Sequence, residues 1–184
     1  MKNKKLLLIL ALVLICALIV VVFVNLPKKE ETGTTTEITP SEEITEEQER
    51  QTMIALYYTN IETNTLVPEA RVIDAKSLLE NPYKTLTEYV IEAPRNEKLK
   101  SSIPEGTKIN GASLNGNTVT LDLSKEFLNG QNEENAILSI YSIVNTLTEL
   151  NEVNSVRILI DGEENISIEG TNISLSEGFT RFAT

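Results

Sequence analysis

A small α+β domain is the fold class this sequence predicts: a mixed β-sheet with two helices packed on one face, over residues 52–184. Three observations predict it. Short apolar runs rich in β-branched and aromatic residues recur at 53–58, 66–73, 119–123 and 156–160. Two longer stretches carry apolar residues at helical spacing. An Asn-Gly pair sits between two strand-like runs. One membrane-crossing helix is expected ahead of the domain.

That helix is read from residues 6–24, an unbroken apolar run preceded by Lys2, Lys4 and Lys5. About 19 residues at ~1.5 Å each nearly span a hydrocarbon core of ~30 Å. The lysines hold residues 1–5 in the cytoplasm, so the segment 6–26 is a transmembrane anchor and all that follows is extracytoplasmic. A cleaved signal peptide is the second reading, but no small-x-small exit follows the run. A lipoprotein is the third. It would use Cys16 as the lipid-bearing residue and wants a small residue before it, where Ile15 stands.

Residues 27–51 are rich in Thr, Glu and Pro and cannot bury a core, so they read as an acidic, disordered linker. The net charge of −11 divides as +3 over residues 1–27, −6 over 28–49 and −8 from Arg50 onward. An acidic outer domain argues against nucleic acid as a partner.

Residues 53–58 (Met-Ile-Ala-Leu-Tyr-Tyr) read as the first strand and 66–73 as the second, with Pro68 implying an edge position or a strand start. Glu69 and Arg71, two apart, share one face and read as a solvent-side ion pair. Asn81-Pro82 opens the first helix, because Asn caps free N–H groups and proline at the first helical position loses no needed donor. Tyr83, Leu86, Tyr89 and Val90 follow at helical spacing, and Ala93-Pro94 closes the helix. Residues 103–106 form a turn. Residues 107–114 and 117–123 flank Asn115-Gly116 as a hairpin, with Val119, Leu121 and Leu123 on the core face and a bulge at Asn110-Gly111. Ile137, Ile140, Tyr141, Val144 and Leu147 form the buried stripe of the second helix, which stops near Asn151. Residues 156–160 are a strand ended by Asp161-Gly162. Residues 166–168 form a short strand, and the tail from Ser176 is irregular.

The absence of histidine, and of any cysteine outside the membrane run, removes imidazole bases, Ser-His and Cys-His nucleophile pairs, and most zinc and copper sites. We therefore assign no catalytic, cofactor-binding or metal residue, and expect no cofactor. An enzyme would need paired carboxylates, with Glu69, Asp122 and Asp161 as the candidates. A binding module for a small molecule, glycan or wall polymer would need a stacking surface. Tyr57, Tyr58, Tyr83, Tyr89, Phe127 and Phe179 are its candidates, although several lie on core-facing stripes. Asn165 and Asn172 head Asn-Ile-Ser triplets, which are common by chance.

Five ordered stretches carry a family resemblance: residues 66–72 (Leu-Val-Pro-Glu-Ala-Arg-Val), 102–109 (Ser-Ile-Pro-Glu-Gly-Thr-Lys-Ile), 119–124 (Val-Thr-Leu-Asp-Leu-Ser), 143–149 (Ile-Val-Asn-Thr-Leu-Thr-Glu) and 156–162 (Val-Arg-Ile-Leu-Ile-Asp-Gly). Together they resemble the GerMN family, named for a bacterial sporulation and germination protein. Ala93-Pro94 stands where the family often has Gly-Pro. The resemblance implies an extracytoplasmic, non-catalytic domain similar to ring-building folds, with a role in sporulation, spore germination or envelope-complex assembly. It also implies extracytoplasmic or membrane protein partners and a homo-oligomer.

Overall fold

The computed structural model describes residues 50–182. The expected anchor at 6–26 and nearly all of the expected linker at 27–51 lie outside the described residues. No helix among the described residues is long and apolar enough to cross a membrane.

Two sheets are present, where the sequence suggested one. Sheet A has the order β2-β1-β3 and is built from β1 (Gln51–Asn60), β2 (Leu66–Asp74) and β3 (Leu99–Lys100), all antiparallel. Sheet B has the order β4-β5-β6-β7, from β4 (Ile109–Asn115), β5 (Thr118–Leu123), β6 (Ser155–Ile160) and β7 (Phe179–Thr180). Sheet B is mixed: β5 and β6 run parallel and the other pairs antiparallel. Two helices, α1 (Pro82–Ile91) and α2 (Glu133–Leu147), each touch both sheets. Sheet B buries one face, carrying Val119, Leu121, Leu123, Val156, Ile158 and Ile160. These form one core with Leu56 and Tyr58 of β1, Leu86 and Val90 of α1, and Ile140, Ile143, Val144 and Leu147 of α2.

Local chemistry explains the boundaries. Asn81 caps α1 by accepting the Lys84 N–H at 3.0 Å, and its amide also donates to the Ala112 carbonyl at 2.8 Å, tying the helix start to β4. Asn132 caps α2 in the same way, accepting from Asn135 N–H at 2.8 Å. Pro68 does lie in an edge strand. The β4–β5 register shifts between Ile109 and Gly111, which is the expected bulge.

Several expectations are corrected. The hairpin loop is Gly116-Asn117, one residue later than Asn115-Gly116, because Asn115 pairs with Thr118. Only Gly116 has a positive φ, +59°. A glycine at the first central position with positive φ there alone is the II′ pattern, which matches strand twist. Ile137, expected on the buried stripe of α2, is 41% exposed, and Tyr141 is half-buried. The helix instead turns Ser139, Ser142 and Thr146 inward. It ends at Leu147, ahead of Asn151, with Thr148 at its cap. Residues 166–168 make only an isolated bridge, Ser167 to Ser174. The tail after Ser176 is not wholly irregular, since β7 pairs with β6 through Val156–Phe179.

Candidate interaction surface

Glu69 and Arg71 alternate with Pro68 and Ala70 along β2, so both project to the core face of sheet A. The expected solvent-side ion pair is in fact buried, with the Arg71 side chain 3% exposed. An Arg71 Nη2 donates to Glu69 Oε1 at 2.8 Å and to the Tyr58 hydroxyl at 3.3 Å. The guanidinium lies 5.9 Å and 5.8 Å from the Tyr58 and Tyr89 ring centres. Glu69 Oε2 accepts two backbone N–H groups, from Arg95 and Asn96, each at 2.9 Å. One carboxylate thus fastens the segment after α1 to the sheet. Burial alone would raise the Glu69 pKa, but the Arg71 hydrogen bond and the Asn96 and Arg95 amides outweigh it and hold the carboxyl below its ordinary value. Burial pushes the Tyr58 hydroxyl up to about 12, against the nearby Arg71 charge.

The second polar assembly closes the edge of β1. Beyond the short pairing at Thr59 and Asn60 with β3, that edge has no strand partner among the described residues. Side-chain hydroxyls of α2 replace one. The Tyr57 N–H donates to Thr146 Oγ1 at 3.0 Å, and Ser142 Oγ donates to the Tyr57 carbonyl. One turn earlier, Ser139 Oγ donates to the Ser102 carbonyl at 2.6 Å. Backbone groups buried without partners are costly, so this stripe satisfies what a neighbouring strand otherwise would. It is also the reason β1 stands apart from sheet B.

The tail completes the arrangement. Arg181 lies 5.3 Å from the Tyr57 ring centre and bonds both the Tyr57 hydroxyl and the Glu149 carboxylate. The Tyr57 hydroxyl donates to Glu149 Oε1 at 2.8 Å. Burial raises the Glu149 pKa and its Arg181 and Tyr57 contacts lower it, with the net shift downward. Phe182 N–H donates to Asn145 Oδ1 at 3.1 Å, and its ring packs 5.1 Å from Tyr141.

What this geometry offers outward is apolar. Residues opposite one another in a ladder share a face, so Met53, Val72, Ala55, Ala70, Tyr57, Pro68 and Leu66 stand on the second face of sheet A. Two recesses open nearby: Thr146 and Glu149, which bond Tyr57, line the first, and Phe182, next to Arg181, lines the second. One, of about 330 Å³, is lined by Met53, Ile54, Ala55, Ala70, Leu86, Thr146, Glu149 and Leu150. The other, of about 430 Å³, is lined by Asn64, Thr65, Leu66, Ile137, Leu138, Tyr141 and Phe182. Met53 at the first recess and Ile137 and Phe182 at the second are 71%, 41% and 54% exposed.

The predicted stacking set is not brought together as a surface. Tyr57, Tyr58 and Phe127 are buried, Tyr83 and Tyr89 pack against the core, and Phe179 meets Tyr141 edge-on at 6.2 Å. The exposed apolar residues Met53, Ile137 and Phe182 were missed. Nor are the three carboxylates brought together. Asp122 Oδ1 accepts the Gly162 N–H at 2.8 Å, and Asp161, at φ +48°, accepts from the Asn110 amide at 3.2 Å. Both serve the turns at one end of sheet B, while Glu69 belongs to sheet A. Among the described residues no group of three or more His, Cys, Asp or Glu side chains is placed to hold a metal ion.

The model of the sporulation and spore germination family, Germane, matches residues 55–166. Among solved structures, the tandem GerMN domains of the sporulation protein GerM from Bacillus subtilis align with a TM-score of 0.60 at 20% identity, covering 71% of this chain and 46% of that one. The chain thus spans about half of that two-domain protein. The first GerMN domain alone aligns with the same TM-score and identity, with 98% of it covered. A protein from Clostridium perfringens described as a lipoprotein aligns at a TM-score of 0.50, 20% identity and 87% coverage of its chain. No curated protein matches.

Proposed function

The chain belongs to the sporulation and spore germination family Germane, and from that premise we propose that it is a membrane-anchored, extracytoplasmic interaction domain serving sporulation, germination or envelope-complex assembly. The family match over residues 55–166 is the observation that carries this reading. The apolar run at 6–24 supplies the anchor, and the acidic segment after it spaces the domain from the bilayer. The domain works without catalysis, by presenting the second face of sheet A and the exposed side of α2 to protein partners. Support comes from the polar groups themselves, since Glu69, Asp122 and Asp161 are each engaged in holding a turn or loop.

The test is photocrosslinking in the native cell through development, with the probe at Ile137, Met53 or Phe182 in the full chain. Capture of one extracytoplasmic protein from these positions, and not from the outer face of sheet B at Arg157, is expected. Equal or no capture from all four would defeat the reading. The 430 Å³ apolar recess beside Ile137 supports a second reading, a binding module for a small apolar ligand or polymer unit. That reading expects a ligand-dependent rise in melting temperature.

A further inference from the structure

One strand edge of sheet A is open. The N–H and C=O of Tyr57 turn toward α2 and so away from β2. Tyr57 stands opposite Pro68. In an antiparallel ladder the backbone groups of such a pair both point outward. By the same parity Ala70, Val72 and Asp74 direct their N–H and C=O away from β1. Pro68, Ala70, Val72 and Asp74 are all exposed. Among the described residues, no backbone group bonds the N–H or C=O of Ala70 or Val72 from outside the sheet. Val72, 46% exposed, lies beside Met53, so the open edge is flanked by apolar side chains.

We propose that this edge pairs antiparallel with the same edge of a second copy of the chain, about a two-fold axis at Arg71. The pattern of donors and acceptors selects that partner, because the edge is complementary to itself. With the axis at Arg71, Ala70 faces Val72 of the second copy and each exchanges two N–H···O=C bonds with the other. Pro68 then faces Asp74. Proline has no N–H to give, and the Asp74 carbonyl already accepts the Ser77 hydroxyl at 2.7 Å. The missing donor therefore meets the acceptor that is already satisfied, and the Asp74 N–H still finds the Pro68 carbonyl. An axis at Ala70 would aim the proline ring at the Val72 carbonyl and strand an acceptor. An axis at Val72 would aim the Ala70 N–H at the occupied Asp74 carbonyl. Side chains agree with the chosen register. On the apolar face Val72 meets Ala70 of the other copy, in a row that runs from Met53 of one copy to Ala55 of the other. On the other face the opposed Arg71 residues are each already held by their own Glu69 at 2.8 Å, with Glu92 3.9 Å away. The pairing stands independently of any role in sporulation.

The test uses the full chain in detergent or in native membranes, with Cys16→Ser removing the native thiol. Hydrogen-bonded antiparallel partners have Cα atoms about 5.5 Å apart, within disulfide reach, whereas diagonal neighbours lie about 7–8 Å apart and outside it. Ala70→Cys combined with Val72→Cys is expected to give a disulfide dimer on mild oxidation, at least ~10-fold more than either single variant, as that geometry requires. Val72→Lys is expected to abolish the dimer seen by sedimentation while leaving circular dichroism and melting unchanged, since a charge on an edge blocks pairing without touching the core. Failure of the double variant to crosslink, while both thiols react with a maleimide, overturns the proposal. So does strongest crosslinking by Ala70→Cys alone, or capture of a different protein only.

Discussion

Replacing Thr146 by valine tests whether α2 closes the edge of β1. Valine keeps the shape of threonine and removes one hydroxyl. That hydroxyl accepts the Tyr57 N–H at 3.0 Å, and both residues are buried, so no water replaces it. Ser142 Oγ sits on the Tyr57 carbonyl and not on its N–H, whose acceptor is Thr146 Oγ1. A buried N–H left unpaired costs about 1–3 kcal/mol, and we expect about 2 kcal/mol here. For a domain of this size each kcal/mol is about 3–5 °C, so the melting temperature should fall by roughly 6–10 °C. The assay is urea and thermal unfolding of residues 50–184, with hydrogen exchange at the Tyr57 amide. Thr146→Ser keeps the hydroxyl and should lose only about 1 kcal/mol for one buried methyl. Thr148→Val is the control: that hydroxyl donates to the Val144 carbonyl of its own helix and otherwise takes only a long, exposed contact from Arg181 at 3.4 Å, so its effect should stay within about 0.5 kcal/mol. If Thr146→Val is as stable as the parent, or is more stable than Thr146→Ser, the hydroxyl stripe does not hold sheet A and the account of the two-sheet division fails.

Glu69→Gln should destabilise the domain at neutral pH by about 3 kcal/mol, because it leaves the buried Arg71 charge with only the exposed Glu92, 3.9 Å away. The Glu69 carboxyl titrates lower when folded than when unfolded. Its contribution is therefore full above the ordinary glutamate value of about 4.3 and is lost as pH falls through the lower folded value. Stability measured against pH should thus drop less steeply for the variant below about pH 4.3. Gly116→Ala should cost about 1–2 kcal/mol purely through its +59° φ, since a Cβ there meets nothing within 4 Å. Asn115→Ala should be nearly neutral, whereas a loop at Asn115-Gly116 would need positive φ at both residues and make both changes costly.

Local signals were legible in the sequence, and distant pairings were not. Asn81-Pro82 predicts the start of α1 because cap and proline act within one turn. Asn110-Gly111 predicts the bulge, and the alternation of Val119, Leu121 and Leu123 predicts the buried face of sheet B. The Glu69–Arg71 pair was misplaced to solvent because its setting is made by Arg95 and Asn96, a loop 26 and 27 residues away. The separation of sheet A was missed because its cause lies in hydroxyls 85 and 89 residues from Tyr57. One signal was available: Ser139, Ser142 and Thr146 fall on one side of a helix otherwise rich in buried aliphatics, and buried hydroxyls need acceptors or donors nearby. For the surface, Ile137 fits an apolar stripe by periodicity alone, and only the position of β1 decides that it faces outward.

The hydroxyl stripe also orders events in time. The β1–β2 hairpin is joined by five residues and forms by local contact, but a lone two-stranded hairpin is marginal in water. Its finishing partner, α2, belongs to the β5–α2–β6 crossover far along the chain. Closing that loop costs entropy before Ser142 and Thr146 return any bond. The first-made hairpin of this domain is therefore among the last elements to become stable. Early in folding it presents two unpaired edges, and α2 later covers one of them.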